Sequence, residues 1–347
     1  MPADMRHQRI RLKGLRAAWR SKGPLACALL PLAMVYAALT TLRRKCYEWG
    51  VKKTQHAGVP VIVIGNVIAG GAGKTPVTLA TVNHLQRRGH KVGILSRGYG
   101  RTTDDCRQAH PQSSAQEVGD EPLLIARASG APVFVAKQRI DAAHALLKAY
   151  PETTVLVCDD GLQHYALARD IEICVFNDEG VGNGWLLPAG PLREAWPRSV
   201  SAVLYCAAQP PAGTSAQQAC FQLQRQLASY AVRSNGERVP LQSLQATPLH
   251  AVAAIARPED FFAMLRAQSL ELLSTEGLPD HFNYQNWQPP TNDGVQVVCT
   301  EKDAAKIWQR MPQALAIPLQ LNVDQGYFDL LDTQLHLSLS LTKLSTD

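Results

Sequence analysis

The sequence predicts an α/β fold: a doubly wound parallel sheet joined to a second, smaller α/β domain and preceded by a membrane-associated helix. Three observations predict it. Short apolar, β-branched runs of the kind buried on both faces of a parallel sheet recur at Val59–Ile64, Val92–Leu95, Val133–Ala136 and Val155–Cys158. Helical stretches separate them, which implies βαβ crossovers. A glycine loop, GNVIAGGAGKTP over residues 65–76, follows the first run directly.

That loop is the most informative segment. Gly70, Gly71 and Gly73, with Ala72 between them, let the backbone turn its N–H groups toward phosphates, and Lys74 supplies a point charge. Thr75 can offer its hydroxyl to Mg²⁺, and the helix expected over Pro76–Arg88 presents its positive dipole end there. The pattern reads as a P-loop NTPase-like cradle, against the plainer reading of a strand-to-helix turn. The usual motif has a glycine where this chain has Ile68. A related class of membrane-associated ATPase switches carries a lysine before the glycine pair. Ala69 stands there instead, which counts against that alternative.

Downstream of the loop, VLVCDDGLQH closes the fourth run on Asp159 and Asp160. A carboxylate at a strand end can hold Mg²⁺ or its water shell, and a turn or helix cap explains the pair equally well. His164 stands four residues past Asp160, close enough to share the site. SRGYGR, residues 96–101, also follows a strand end, where ligands of open parallel sheets collect. In VGDEP, residues 118–122, Asp120 and Glu121 precede a helix, so capping is the plain reading. Lys137 and Arg139 suit phosphate and solvent equally.

Composition sets broad limits. With 46% hydrophobic and 18% charged residues in 347, the chain is globular and long enough for two domains. A formal charge of +6 is too mild to imply a nucleic-acid partner, and none is expected. Its placement says more: residues 1–23 hold seven Lys/Arg against one acid. An apolar run, Leu25–Leu39, follows; at 15 residues with Pro31 inside, it is short for a bilayer span. It ends in Thr-Leu-Arg-Arg-Lys, unlike the small-residue site that closes a signal peptide. A buried helix is one reading; a helix lying in the cytoplasmic leaflet, flanked by cations, is the favoured one. The eight cysteines form no CxxC pair and read as reduced thiols.

In the second half, Ile171–Phe176, Ala202–Cys206, His250–Ile255 and Val295–Cys299 are strand-like, with a helix over Pro258–Gln268. The Gln-rich stretch 207–226 reads as surface helix and residues 335–347 as a soluble tail. The expected division is a basic start and interface helix over 1–45, a P-loop nucleotide-binding domain over 46–170, and a second α/β domain over 171–325, joined by a short linker. A C-terminal segment covers 326–347.

Seven motifs in order, GNVIAGGAGKTP, ILSRGYGR, VGDEP, DDGLQH, GNGWLLPAGPLRE, PDH and TEKDA, make the chain strongly resemble the lipid A disaccharide 4′-kinase (tetraacyldisaccharide 4′-kinase) family from about Leu29 to Ala305. The resemblance implies transfer of the γ-phosphate of ATP to the 4′-hydroxyl of tetraacyldisaccharide 1-phosphate, giving lipid IVA. It implies a monotopic enzyme on the cytoplasmic face of a Gram-negative inner membrane, with a P-loop domain, a smaller domain and a two-stranded linker; a monomer is expected. Carried over, Lys74 and Thr75 hold triphosphate and Mg²⁺, with Asp159, Asp160 and Glu194 as further acids around the metal. Arg139 and Arg193 match phosphate-directed arginines, although Lys137 competes for the first place. Asp120 and His281 match the catalytic dyad; Phe282 stands where many members have a second histidine. In GNGWLLPAGPLREAWPR, residues 182–198, acyl-chain contact and a packed connection are both open. TEKDA, residues 300–304, has no role that the residues alone reveal.

Overall fold

The computed structural model describes residues 19–280, 282–285, 287–289 and 294–344. Two short helices come first, α1 (Pro24–Ala28) and α2 (Leu30–Glu48). The glycine-loop unit follows: β1 (Val61–Gly65), α3 (Lys74–Arg87), β2 (Val92–Ser96), β3 (Arg107–Ala109), α4 (Ala115–Val118), α5 (Asp120–Ser129), β4 (Val133–Val135), α6 (Arg139–Ala149) and β5 (Val155–Asp159). All four expected strands form here. Their side chains are buried on both faces, as a continuous β-branched run requires.

The sheet extends further than expected. β6 (Ile171–Phe176), β7 (Ala202–Tyr205) and β8 (Cys220–Leu227) join it in parallel and β15 (Leu319–Val323) closes its edge, giving the order β15-β8-β7-β6-β1-β5-β2-β4-β3. The boundary expected at residue 171 therefore cuts this sheet. An all-apolar strand carries no mark of which sheet takes it, and β6 pairs β1 directly, Ile62 with Ile171. The stretch read as surface helix ends in β8. Its glutamines, Gln222, Gln224 and Gln226, alternate with Phe221, Leu223, Arg225 and Leu227, and that period of two is a strand's. Leu223 and Leu227 are buried.

The second sheet has the order β10-β9-β14-β13-β11-β12. It is built from β9 (Tyr230–Val232), β10 (Arg238–Pro240), β11 (Leu249–Ala253), α7 (Pro258–Ala267), β12 (Leu272–Gly277), β13 (Gln296–Thr300), α8 (Glu301–Ile307) and β14 (Leu315–Ile317). β11 to β14 pair in parallel. The chain then returns to the first sheet through β15 (Leu319–Val323), antiparallel to β8 from Leu319–Leu227 to Val323–Leu223. β8 and β15 thus form a two-stranded ribbon between the units.

The last helix, α9 (Gln325–Leu344), corrects the expected tail. Tyr327, Leu331 and Leu335 recur every four residues and are fully buried against the first sheet, one face of a helix. The Tyr327 hydroxyl shares a 2.7 Å hydrogen bond with Thr81 of α3.

At the N-terminus, α2 lies on the first unit through Ala33 and the Tyr36 hydroxyl, which donates to the Arg193 carbonyl at 3.0 Å. Its other face exposes Leu32, Met34, Val35, Leu39 and Leu42. Among the described residues, no helix is long and apolar enough to cross a membrane.

Candidate active site

β1 delivers the glycine loop and α3 receives it. Gly73 caps α3 with φ 82°, a left-handed conformation that glycine adopts freely. Neighbours brace the loop by its carbonyls: Asn66 Nδ2 donates to Gly70 O, Asn177 Nδ2 to Gly71 O at 3.2 Å, and Arg225 Nη2 to Ala72 O at 3.3 Å. The missing glycine now has a reason. Ile68 is buried in the core and its backbone bridges Leu192, while the Ala69 amide donates to Pro191 O at 2.7 Å. The GNGWLLPAGPLRE segment is thus a packed connection that supports the loop from below.

Lys74, only 9% exposed, starts α3 with its ammonium 3.6 Å from Asp160. Asp160 follows the end of β5 at φ 48°. Its carbonyl accepts a 3.5 Å bond from Arg139 and its carboxylate lies 3.4 Å from Arg193. Burial, the largest influence, would raise its pKa, but Lys74, Arg193 and Arg139 outweigh it and hold Asp160 below the usual range. Asp159 points inward: one oxygen accepts from Thr78 at 2.9 Å and the other is buried with no partner. Burial, then the Glu121 and Asp160 carboxylates, push Asp159 up to about 7. The sequence reading overlooked Thr78, one position short of a full turn past Thr75.

Arg139 is buried at the start of α6, whereas Lys137 is exposed. His164 is expected at the nucleotide, yet its Nε2 accepts the Arg139 amide at 3.2 Å. It therefore caps α6 as a neutral ring. Burial and then Arg139, Arg169, Arg43 and Arg97 depress it to about 4. Glu194 is expected at the metal, yet it accepts a 2.9 Å bond from Arg198 and does not line the cavity.

The cavity of about 570 Å³ lies between the two units. Gly70, Gly71, Gly73, Lys74, Thr75, Asp160 and Arg193 form one wall; Arg257, Asp280, Glu301 and Lys302 stand on the other. Asp120 and Glu121 open α5. Gly119, at φ 94°, lets them approach the SRGYGR loop, because a side chain there would meet the Tyr99 carbonyl at 2.9 Å. Glu121 lines the cavity, and Asp120 meets the Lys306 ammonium at 2.7 Å. His281, expected beside Asp120, lies outside the described residues; its neighbour Asp280 meets Lys302 at 3.2 Å. Lys302, Lys306, Arg225 and Arg257 were not anticipated. Only β8 alternation hinted at one of them, by placing Arg225 on the inward face.

Among the described residues, no group of three or more His, Cys, Asp or Glu is set to hold a metal unaided. Mg²⁺ in phosphate sites needs only one or two carboxylates besides phosphates and waters. The partnerless Asp159 oxygen, together with Asp160 and Thr75 on the cavity wall, fits that demand.

The sequence profile of the tetraacyldisaccharide-1-P 4′-kinase family matches residues 25–336. The chain belongs to this family. Similar members include a tetraacyldisaccharide 4′-kinase of Acidovorax sp. (strain JS42), 60% identical across 92% of this chain and 94% of the relative. The corresponding kinase of Dechloromonas aromatica is 44% identical across 90% and 93%. Among solved structures, the "apo" form of LpxK from Aquifex aeolicus in complex with ATP superimposes with a TM-score of 0.78. It is 26% identical and covers 90% of this chain and 99% of that one.

Proposed function

We propose that this member of the tetraacyldisaccharide 4′-kinase family transfers the γ-phosphate of ATP to the 4′-hydroxyl of tetraacyldisaccharide 1-phosphate, forming lipid IVA in lipid A synthesis. The carrying observation is the match of the family profile over residues 25–336 to a chain whose glycine loop, Lys74 and Asp160 face one interdomain cavity. An ATPase switch with no product would need no acceptor space opposite the phosphates.

The residues divide the work as follows. The amides of Gly70 to Gly73 and the Lys74 ammonium receive the β- and γ-phosphates, and Arg193 and Arg139 face the same charge. Thr75, Asp159 and Asp160 would hold Mg²⁺, which supplies charge neutralisation on the phosphates when bound. Asp120 takes the proton of the attacking hydroxyl as its oxygen bonds to phosphorus and the bond to ADP breaks. His281 orients Asp120; the lysines that meet Asp120 and Glu121 also meet its flanking residues, Phe282 and Asp280.

Docking at the cytoplasmic leaflet is supported by the outward apolar face of α2, mounted on Arg193 through Tyr36. That position would bring the acceptor lipid to the phosphates without a spanning helix. The test is transfer of labelled γ-phosphate to tetraacyldisaccharide 1-phosphate in detergent micelles. Labelled lipid is expected; hydrolysis of ATP with no labelled lipid would overturn the proposal.

A further inference from the structure

Thr300 caps α8 and Asp303 anchors it: one Asp303 oxygen accepts from the Thr300 hydroxyl at 2.7 Å and from the Ala254 amide at the end of β11 at 2.9 Å. Asp303 is 2% exposed, so the orientation of α8 is set by the second sheet. Lys302 and Lys306, four residues apart, lie on one face of a helix. They meet two successive acids of the other unit. Lys306 Nζ is 2.7 Å from Asp120 Oδ2 and also donates to the Phe282 carbonyl at 3.1 Å. Lys302 Nζ is 3.2 Å from Asp280 and 3.8 Å from Glu121.

We propose that Lys306 is a positioning residue for the kinase reaction, holding the Asp120 carboxylate at the angle from which it takes the acceptor's proton, with Lys302 as a second prong that fixes α8 against α5. The proposal rests on Asp120 being the base. Both partners are nearly enclosed, the Lys306 and Asp120 side chains being 14% and 8% exposed, so solvent screens the pair only weakly. A surface pair would contribute little; an enclosed pair sets both charge and direction. The contact spans 186 residues of sequence and joins the two units, so Asp120 is correctly aimed only when the second unit sits over the cavity.

The experiment is a double-mutant cycle on the full chain, read as kcat and as KM for Mg-ATP in the lipid phosphorylation assay. Lys306→Met is expected to lower kcat about 10- to 100-fold, the scale on which a misplaced catalytic group costs rate, with KM for Mg-ATP within about threefold because the phosphate wall is untouched. Lys306→Arg, which keeps the charge, should recover about tenfold over Met. In an Asp120→Asn background, Lys306→Met should cause no further loss, since its role acts through that carboxylate. Unchanged kcat in Lys306→Met, or an equal loss in both backgrounds, would overturn the positioning role and leave the base assignment standing. Wild-type kcat in Asp120→Asn would overturn the base assignment and the positioning role together. Should Lys306→Met fail to fold, Lys306→Gln takes its place in the same cycle, with the same outcomes deciding.

Discussion

The two walls of the cavity are built by different means. The glycine-loop wall is held through its backbone: carbonyls of residues 70 to 72 are gripped by Asn66, Asn177 and Arg225, and Ile68 is tucked into the core. The opposite wall meets the first unit through side-chain ion pairs, Lys306 with Asp120 and Lys302 with Glu121. Backbone-braced phosphate donors need no rearrangement at the moment of reaction. Ion pairs between units depend on how the units are placed against each other. The phosphate site is thus preorganised, whereas the position of the base depends on the fit of the two units.

The sharpest way to break this comparison is at Lys74. Lys74→Ala should lower lipid phosphorylation by about three orders of magnitude, the range seen when a charge-stabilising donor is lost. A steady-state assay at saturating acceptor checks it, and a loss smaller than that of Lys306→Met would reverse the ranking of the walls. Next in size is Asp303→Ala, which leaves the Ala254 amide without its partner. It should cost about 1–3 kcal/mol in urea unfolding and lower kcat while leaving Mg-ATP affinity near wild type. Equal weakening of nucleotide binding would show that the walls are not separable.

The third prediction concerns pH. Asp159 ionises at about 7 in the fold, against about 3.9 in an unfolded chain. Between these values the folded form binds more protons, so stability without nucleotide is lost as pH rises from about 4 to about 7. Glu301, also raised to about 7 by burial, acts in the same direction. His164, depressed to about 4, opposes them, since its contribution is lost as pH falls from about 6.5 to about 4. Asp159→Asn should therefore flatten the fall in melting temperature between pH 5 and 8. An unchanged slope would remove Asp159 from the account.

The smallest effects lie away from both walls. Leu32→Asp with Leu39→Asp should reduce sedimentation with anionic vesicles while activity on micellar acceptor stays within about twofold. Undiminished vesicle binding would show that α2 does not dock. Tyr327→Phe, losing one buried hydrogen bond to Thr81, should cost about 1 kcal/mol in urea unfolding and leave the kinetics unchanged.

The same contrast decides what the sequence discloses. The preorganised wall is local: a buried strand, three glycines, Lys74 and Thr75 are contiguous, and their order states the chemistry. Asp159 and Asp160 were visible at a strand end, although not that one would turn inward to Thr78 and the other outward to Lys74. His164 and Glu194 lie within range of the site, but Arg139 and Arg198 claim them, and no spacing rule foretells such partners. The second wall is non-local. Nothing in TEKDA says that a lysine two residues after it meets an aspartate near position 120. The fold shows the same pattern. β1, β2, β4 and β5 read as apolar runs, but the polar edge strand β3 does not, and sheet membership of β6 and β7 is a tertiary fact. The glutamines of β8 hid a strand, and the four-residue spacing of Tyr327, Leu331 and Leu335 hid a docked helix.

The chain leaves the first unit after Leu227 and re-enters it at Leu319, and Ala228 N donates to Pro318 O at 2.9 Å across the gap. Exit and entry are thus side by side, so the second unit is a guest inserted into one hairpin of its host. A short turn in place of residues 229–317 would leave the host's nine strands in order, including the returning β15 and the closing helix. Phosphate binding and base positioning would then be separable pieces of polypeptide.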